Sequence, residues 1–159
     1  AVHFQTIHTD IIKSTMVMFL SEMLHYSIQE EEKNESLFVF LETALTWLDH
    51  HDEISNFHLI LLLEITKYLG FYPDVSEIDL PYFEINDGVF TLFHGLTALT
   101  EHETNLFKKL IDLKFDNTEK VFHVIERQIL LKILTDYYSF HLDGFKKPES
   151  LDILKEIFS

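Results

Sequence analysis

The chain has 159 residues, with 47% hydrophobic and 14% aromatic side chains, enough to bury about 70% of its unfolded surface in a core without disulfide staples. Four Gly and three Pro exclude collagen-like and low-complexity chains and disfavour all-β architectures, which consume turn residues. A net charge of −15 repels DNA and anionic membranes as a whole, so an anionic partner needs a local basic patch.

Asp10 caps a first helix that runs to about Ile28, with Ile12, Met16, Phe19, Leu20 and Met23 at helical spacing. The polar run from Gln29 to Asn34, including Glu30, Glu31 and Glu32, reads as a solvated connector. Asn34 caps a second helix whose apolar stripe is Leu37, Phe38, Leu41, Leu45 and Leu48 and whose end is Asp49-His50-His51-Asp52. A third helix, about Ile54 to Leu69, is apolar on most sides and is expected at the centre. Gly70 stands where a left-handed cap belongs, and Pro73 blocks re-entry.

Tyr82 to Ile85 and Val89 to Phe93 flank Asn86-Asp87-Gly88, which predicts a β-hairpin. Thr100 and Glu103 form a capping-box pattern opening a fourth helix to about Leu113. Thr118 is placed to cap a fifth helix to about Leu142, buried along Val121, Ile125, Ile129, Ile133 and Tyr137. Gly144 closes it, and Pro148 suits the first turn of a last helix over 149–158. The expected fold is therefore mainly α, a single helical domain over 1–159 of about six helices with one small β-hairpin insertion.

Cys is absent, which removes disulfides, a thiol nucleophile and thiolate metal ligation and fits a reducing, cytoplasmic setting. The opening Ala1-Val2-His3-Phe4 lacks an initiator Met and a signal-peptide pattern and reads as a processed or truncated piece. The longest apolar run, Leu59 to Leu63, is too short to span a bilayer.

Asp49, His50, His51 and Asp52 carry residue types that hold divalent metals or relay protons, so a metal-dependent phosphohydrolase is the competing reading, with His58 nearby in sequence. Four consecutive residues at a helix end point in different directions, which favours a solvated terminus instead. Tyr82, Phe83, Phe90 and Phe93 could stack on bases, but no Lys or Arg lies between Lys67 and Lys108, so a hairpin packed on helices is preferred. Lys120, Val124, Arg127 and Leu131, at spacings of four, three and four, place cations and apolar groups on one face of the fifth helix. That face suits a peptide tail with an aromatic ring and a carboxylate. Arg127 is the sole Arg.

The order of the segments adds a resemblance. Asp10-Ile11-Ile12-Lys13-Ser14, Phe19 to Leu24, Glu30 to Glu32, Leu37 to Leu41 and Trp47-Leu48-Asp49 come first. Asn56-Phe57-His58-Leu59, Tyr68-Leu69-Gly70-Phe71-Tyr72-Pro73, Tyr137 to Leu142 and Ser150 to Leu154 follow. Together they resemble the C-terminal region of the RecO family of bacterial recombination mediators, in its Bacteroidetes form, over nearly the whole chain. The resemblance implies a helical domain that follows an N-terminal OB-fold absent from this chain. That OB-fold is where most single-stranded DNA contact is expected. It also implies a non-enzymatic role in DNA repair, loading RecA and annealing strands with RecR and with the C-terminal tail of single-strand-binding protein. Many RecO proteins carry a Cys-rich zinc motif after the Leu-Gly-x-x-Pro segment. Asp74 to Phe93 has no Cys, so metal binding does not carry over and no cofactor is expected.

Overall fold

Local capping chemistry decides where most of the helices begin. In the computed structural model, which describes residues 3–28, 34–116 and 120–157, Asp10 accepts from Ile12 N and Lys13 N and opens α1 (Ile11–Ser27). Asn34 accepts from Leu37 N and opens α2 (Glu35–Asp49). Thr100 and Glu103 close a reciprocal capping box at the start of α4 (Glu101–Asp112). Each satisfies amide groups that the first turn of a helix leaves unpaired.

The third helix, α3 (Phe57–Leu69), starts later than expected. Phe57 N–H closes a turn onto Ile54 O, so the backbone bends before the helix is established. Gly70 ends it at φ 89°, the left-handed position where a Cβ would be strained. α3 is the central helix: Leu59, Leu61 and Leu62 have no exposed surface, and α1, α2, α4 and α5 all pack on it.

β1 (Tyr82–Glu84) and β2 (Val89–Thr91) pair antiparallel, with Phe83 opposite Phe90. Gly88, at φ 70°, turns the chain as the Asp-Gly signal predicts. Phe83 and Phe90 face inward, Phe83 lying 4.7 Å from the Phe107 ring of α4 and 5.7 Å from Tyr137. The hairpin is thus packed on helices, although Phe93 beyond it is 81% exposed.

The fifth helix, α5 (Val124–His141), corrects the expected start. Thr118 lies outside the described residues. The observed cap is His123, whose ring accepts from Glu126 N while the Glu126 side chain accepts from His123 N. The expected stripe also needs correction. Ile125 is 63% exposed, and the buried face is Leu130, Ile133, Leu134, Tyr137 and Tyr138. A strict four-residue spacing advances about 400° and drifts about 40° per step around the helix, so a row anchored on Tyr137 leaves the core by Ile125. On α2 the same logic turns Phe38 outward, 56% exposed, because Leu37 beside it takes the inner position with Leu41, Ala44 and Leu48.

Pro148 is buried just before α6 (Leu151–Ile157) rather than inside its first turn, and Leu151 N–H bonds back to Pro148 O. α6 packs on α1, which closes the bundle. The described structure is six helices and one two-stranded hairpin, mainly α. No helix among the described residues is long and apolar enough to cross a membrane.

Candidate functional site

The Asp-His-His-Asp run at the end of α2 was the strongest candidate for metal chemistry, and the geometry gives its members other work. Asp49 is 3% exposed. Its carboxylate accepts from the backbone N–H groups of Gln5 (2.9 Å), Thr6 (2.6 Å) and Ile7 (3.0 Å). Burial would raise this carboxyl, but those three amides and the Thr6 hydroxyl hold it well below the usual carboxylate range. Lys13, 2% exposed, donates to Thr6 Oγ1 at 2.7 Å and to Asp49 O at 3.3 Å. Asp49 is therefore a clamp that fastens the segment before α1 to the end of α2.

His50 and His51 turn their rings back along α2. Their Nδ1 atoms bond Thr46 O (2.8 Å) and Trp47 O (2.6 Å), and His51 stacks on Trp47 with centroids 4.0 Å apart. Asp52 points to solvent. The four side chains diverge, and no cluster of three or more His, Cys, Asp or Glu is placed to hold an ion among the described residues. Asp49 is committed to its backbone clamp and the two His rings to carbonyls of α2, so the four residues that the phosphohydrolase reading needs do not converge. Glu30, Glu31 and Glu32 lie outside the described residues.

The clamp carries a prediction. Asp49→Ala removes the carboxylate and leaves the three backbone donors without their acceptor. Hydrogen exchange at Gln5, Thr6 and Ile7 is expected to accelerate about tenfold or more, as for a locally opened segment. Unchanged protection at these amides would contradict the clamp.

The proposed tail face is rearranged by the late start of α5. Val124, Arg127 and Leu131 do come together, lining a small cleft, but Lys120 precedes the helix. Its side chain is 76% exposed and lies 4.0 Å from Glu53. Leu131, 3% exposed, is floor rather than flank. Arg127 is half-buried, and its Nη1 donates to Phe122 O at 2.6 Å, which anchors the guanidinium at the rim. Burial lowers its pKa, and the Glu53 carboxylate pulls it back up in part.

The cleft also contains His58, Gln128, Leu154 and Lys155, none of which entered the expected site. Lys155 adds a second cation from α6, and Leu154 an apolar wall. His58, 2% exposed, forms part of the lining from α3. Burial, with a smaller contribution from the nearby Arg127 charge, pushes its pKa down to about 3, so the imidazole is neutral at pH 7. Arg127 and Lys155 thus border a small apolar cleft of about 10 Å³, where two cations can face an anionic group at the surface. Lys155 lies 28 residues from Arg127 in the sequence, and no periodicity links them.

Comparison with known proteins identifies relatives of this chain. The family model described as Recombination protein O C terminal matches residues 8–150. The DNA repair protein RecO of Flavobacterium johnsoniae is 86% identical over 159 residues, covering all of this chain and 67% of that protein. RecO of Flavobacterium psychrophilum is 68% identical over 160 residues, with the same coverage. RecO of Christiangramia forsetii is 43% identical over 158 residues, covering 98% of this chain and 66% of its own length. The chain thus spans about two thirds of the relatives it matches. No solved structure matches the fold. With the family model over most of its length and such close relatives, the chain belongs to the RecO family of DNA repair proteins, through that family's C-terminal region.

Proposed function

We propose that residues 1–159 form the helical unit of a non-enzymatic recombination mediator in the cytoplasm. It would support RecA loading and strand annealing through RecR and the C-terminal tail of single-strand-binding protein. Single-stranded DNA would be held mainly by an N-terminal OB-fold outside this chain. Family membership supports the repair role. The observation that carries the tail-binding part is the cleft where Arg127 and Lys155 flank Val124, Leu131 and Leu154 on a protein of net charge −15. A chain this acidic cannot draw in an acidic peptide by its overall field. It needs cations at short range, inside the roughly 8 Å over which physiological salt screens.

In this reading Arg127 takes the terminal carboxylate, Val124 and Leu131 contact the aromatic ring, and Lys120 meets acidic residues further along the tail. Lys155 adds to the anionic end. Arg127→Ala is expected to weaken binding of a labelled tail peptide by about 1–3 kcal/mol, the usual range for a charge-assisted hydrogen bond. Because Arg127 also holds Phe122 O, thermal melts of both proteins separate lost binding from lost folding. Equal affinities would dismiss the cleft as the tail site.

A further inference from the structure

A second surface uses none of the Arg127 cleft. α2 packs inward on α3 and turns Glu35, Phe38, Val39, Glu42, Thr43 and Thr46 to solvent. These recur at i, i+3, i+4, i+7, i+8 and i+11, one continuous stripe of a helix. Phe38 is 56% exposed and Val39 66%. Thr43 and Thr46 return their hydroxyls to Val39 O (3.0 Å) and Glu42 O (2.8 Å), so the backbone satisfies their polar atoms. The stripe therefore contains an apolar ridge between two carboxylates seven residues, about 10 Å, apart.

An open groove runs beside the ridge along Val39 and Thr43, and its floor is Phe40 stacked on Tyr68 at 5.0 Å. Asn34 Nδ2 donates to Tyr68 O at 3.0 Å, tying the start of α2 to the end of α3 and fixing the groove's shape. α2 has no Lys or Arg, and the described residues lining the groove include none.

We propose that this outer face of α2 docks a cationic amphipathic helix from another protein. The partner lays an apolar ridge against Phe38 and Val39 and sets Lys or Arg one heptad apart against Glu35 and Glu42. Charge complementarity selects that occupant. A second copy docked by a two-fold axis would oppose Glu35 and Glu42 to their own images, on two chains of −15 each. An acidic tail is repelled for the same reason.

A labelled peptide with Leu and Lys at heptad spacing is the probe, titrated at physiological salt against the wild-type chain. Phe38→Ser with Val39→Ser should weaken binding at least tenfold. Glu35→Gln with Glu42→Gln should weaken it several-fold and flatten its salt dependence. Glu77→Gln with Glu101→Gln, which removes the same charge from exposed positions elsewhere, should leave affinity unchanged. All sites are exposed, and far-UV circular dichroism confirms folding. Three results would each overturn the proposal: no binding by wild type, equal loss in the Glu77/Glu101 variant, or wild-type dimerisation that Phe38→Ser with Val39→Ser abolishes.

Discussion

Phe107→Ala is expected to lower the unfolding free energy by about 3–5 kcal/mol, the range for deleting a buried aromatic ring. Phe107 has no exposed surface. Its ring lies 4.7 Å from Phe83 of the hairpin and 6.5 Å from Tyr137 of α5, so one side chain joins three elements. α4 also supplies Thr104, whose Oγ1 accepts from Phe83 N at 3.0 Å. Part of this aromatic cluster is thus hinged on a hydrogen bond that is correctly placed only while α4 keeps its position. Removing the ring leaves a cavity that a hairpin of two three-residue strands and its neighbours can only partly fill. Denaturant unfolding followed by far-UV circular dichroism measures the loss. Phe93→Ala is the control: with Phe93 81% exposed, it should change stability by less than about 0.5 kcal/mol. Similar small effects for both variants would refute the packing described.

The second large effect concerns pH. His58 has its pKa pushed down to about 3 by burial and, secondarily, by Arg127, against 6.5 for an ordinary histidine. Below about pH 6.5 the unfolded chain takes up a proton that the folded chain refuses, so acid favours unfolding. The stability that depends on neutral His58 is fully present above pH 6.5 and is lost as pH falls toward 3. Each pH unit in that window costs about 1.4 kcal/mol, or about 3 kcal/mol by pH 4. Asp49 acts in a different window. Its carboxyl is depressed below 3.8, so its contribution is present above that value and is lost only as pH falls below it. Denaturation of wild type and His58→Leu at pH 7.5, 6, 5 and 4 separates the two. The difference in stability between the proteins should move in favour of the variant by about 3 kcal/mol across the series. Parallel pH profiles would show that His58 takes up its proton equally well in the folded and unfolded chains and would refute the depressed pKa.

Several helix caps, the hairpin and the central helix were legible in the sequence because they depend on groups a few residues apart, whereas the starts of α3, α5 and α6 were not. Asp10, Asn34 and Thr100 with Glu103 cap amides within three residues. Gly70 and Gly88 adopt left-handed backbone that other residues avoid. α3 reads as central from its composition alone. The ordered segments of the whole chain also carried the family resemblance, which needs no geometry. The phase of a helix face was less secure: an apolar residue beside a better-placed one, as Phe38 beside Leu37, is turned out by the angle between neighbours. The surroundings of the candidate residues were decided only by tertiary structure. Asp49 reads as part of a solvated helix end, with a metal site as the alternative, until the fold brings Gln5, Thr6 and Ile7, 42–44 residues away, onto its buried carboxylate. Arg127 finds its surroundings in His58 from α3 and in Leu154 and Lys155 from α6. Such convergence follows from how whole helices pack, and packing is a sum over many weak contacts that no short spacing in the sequence encodes.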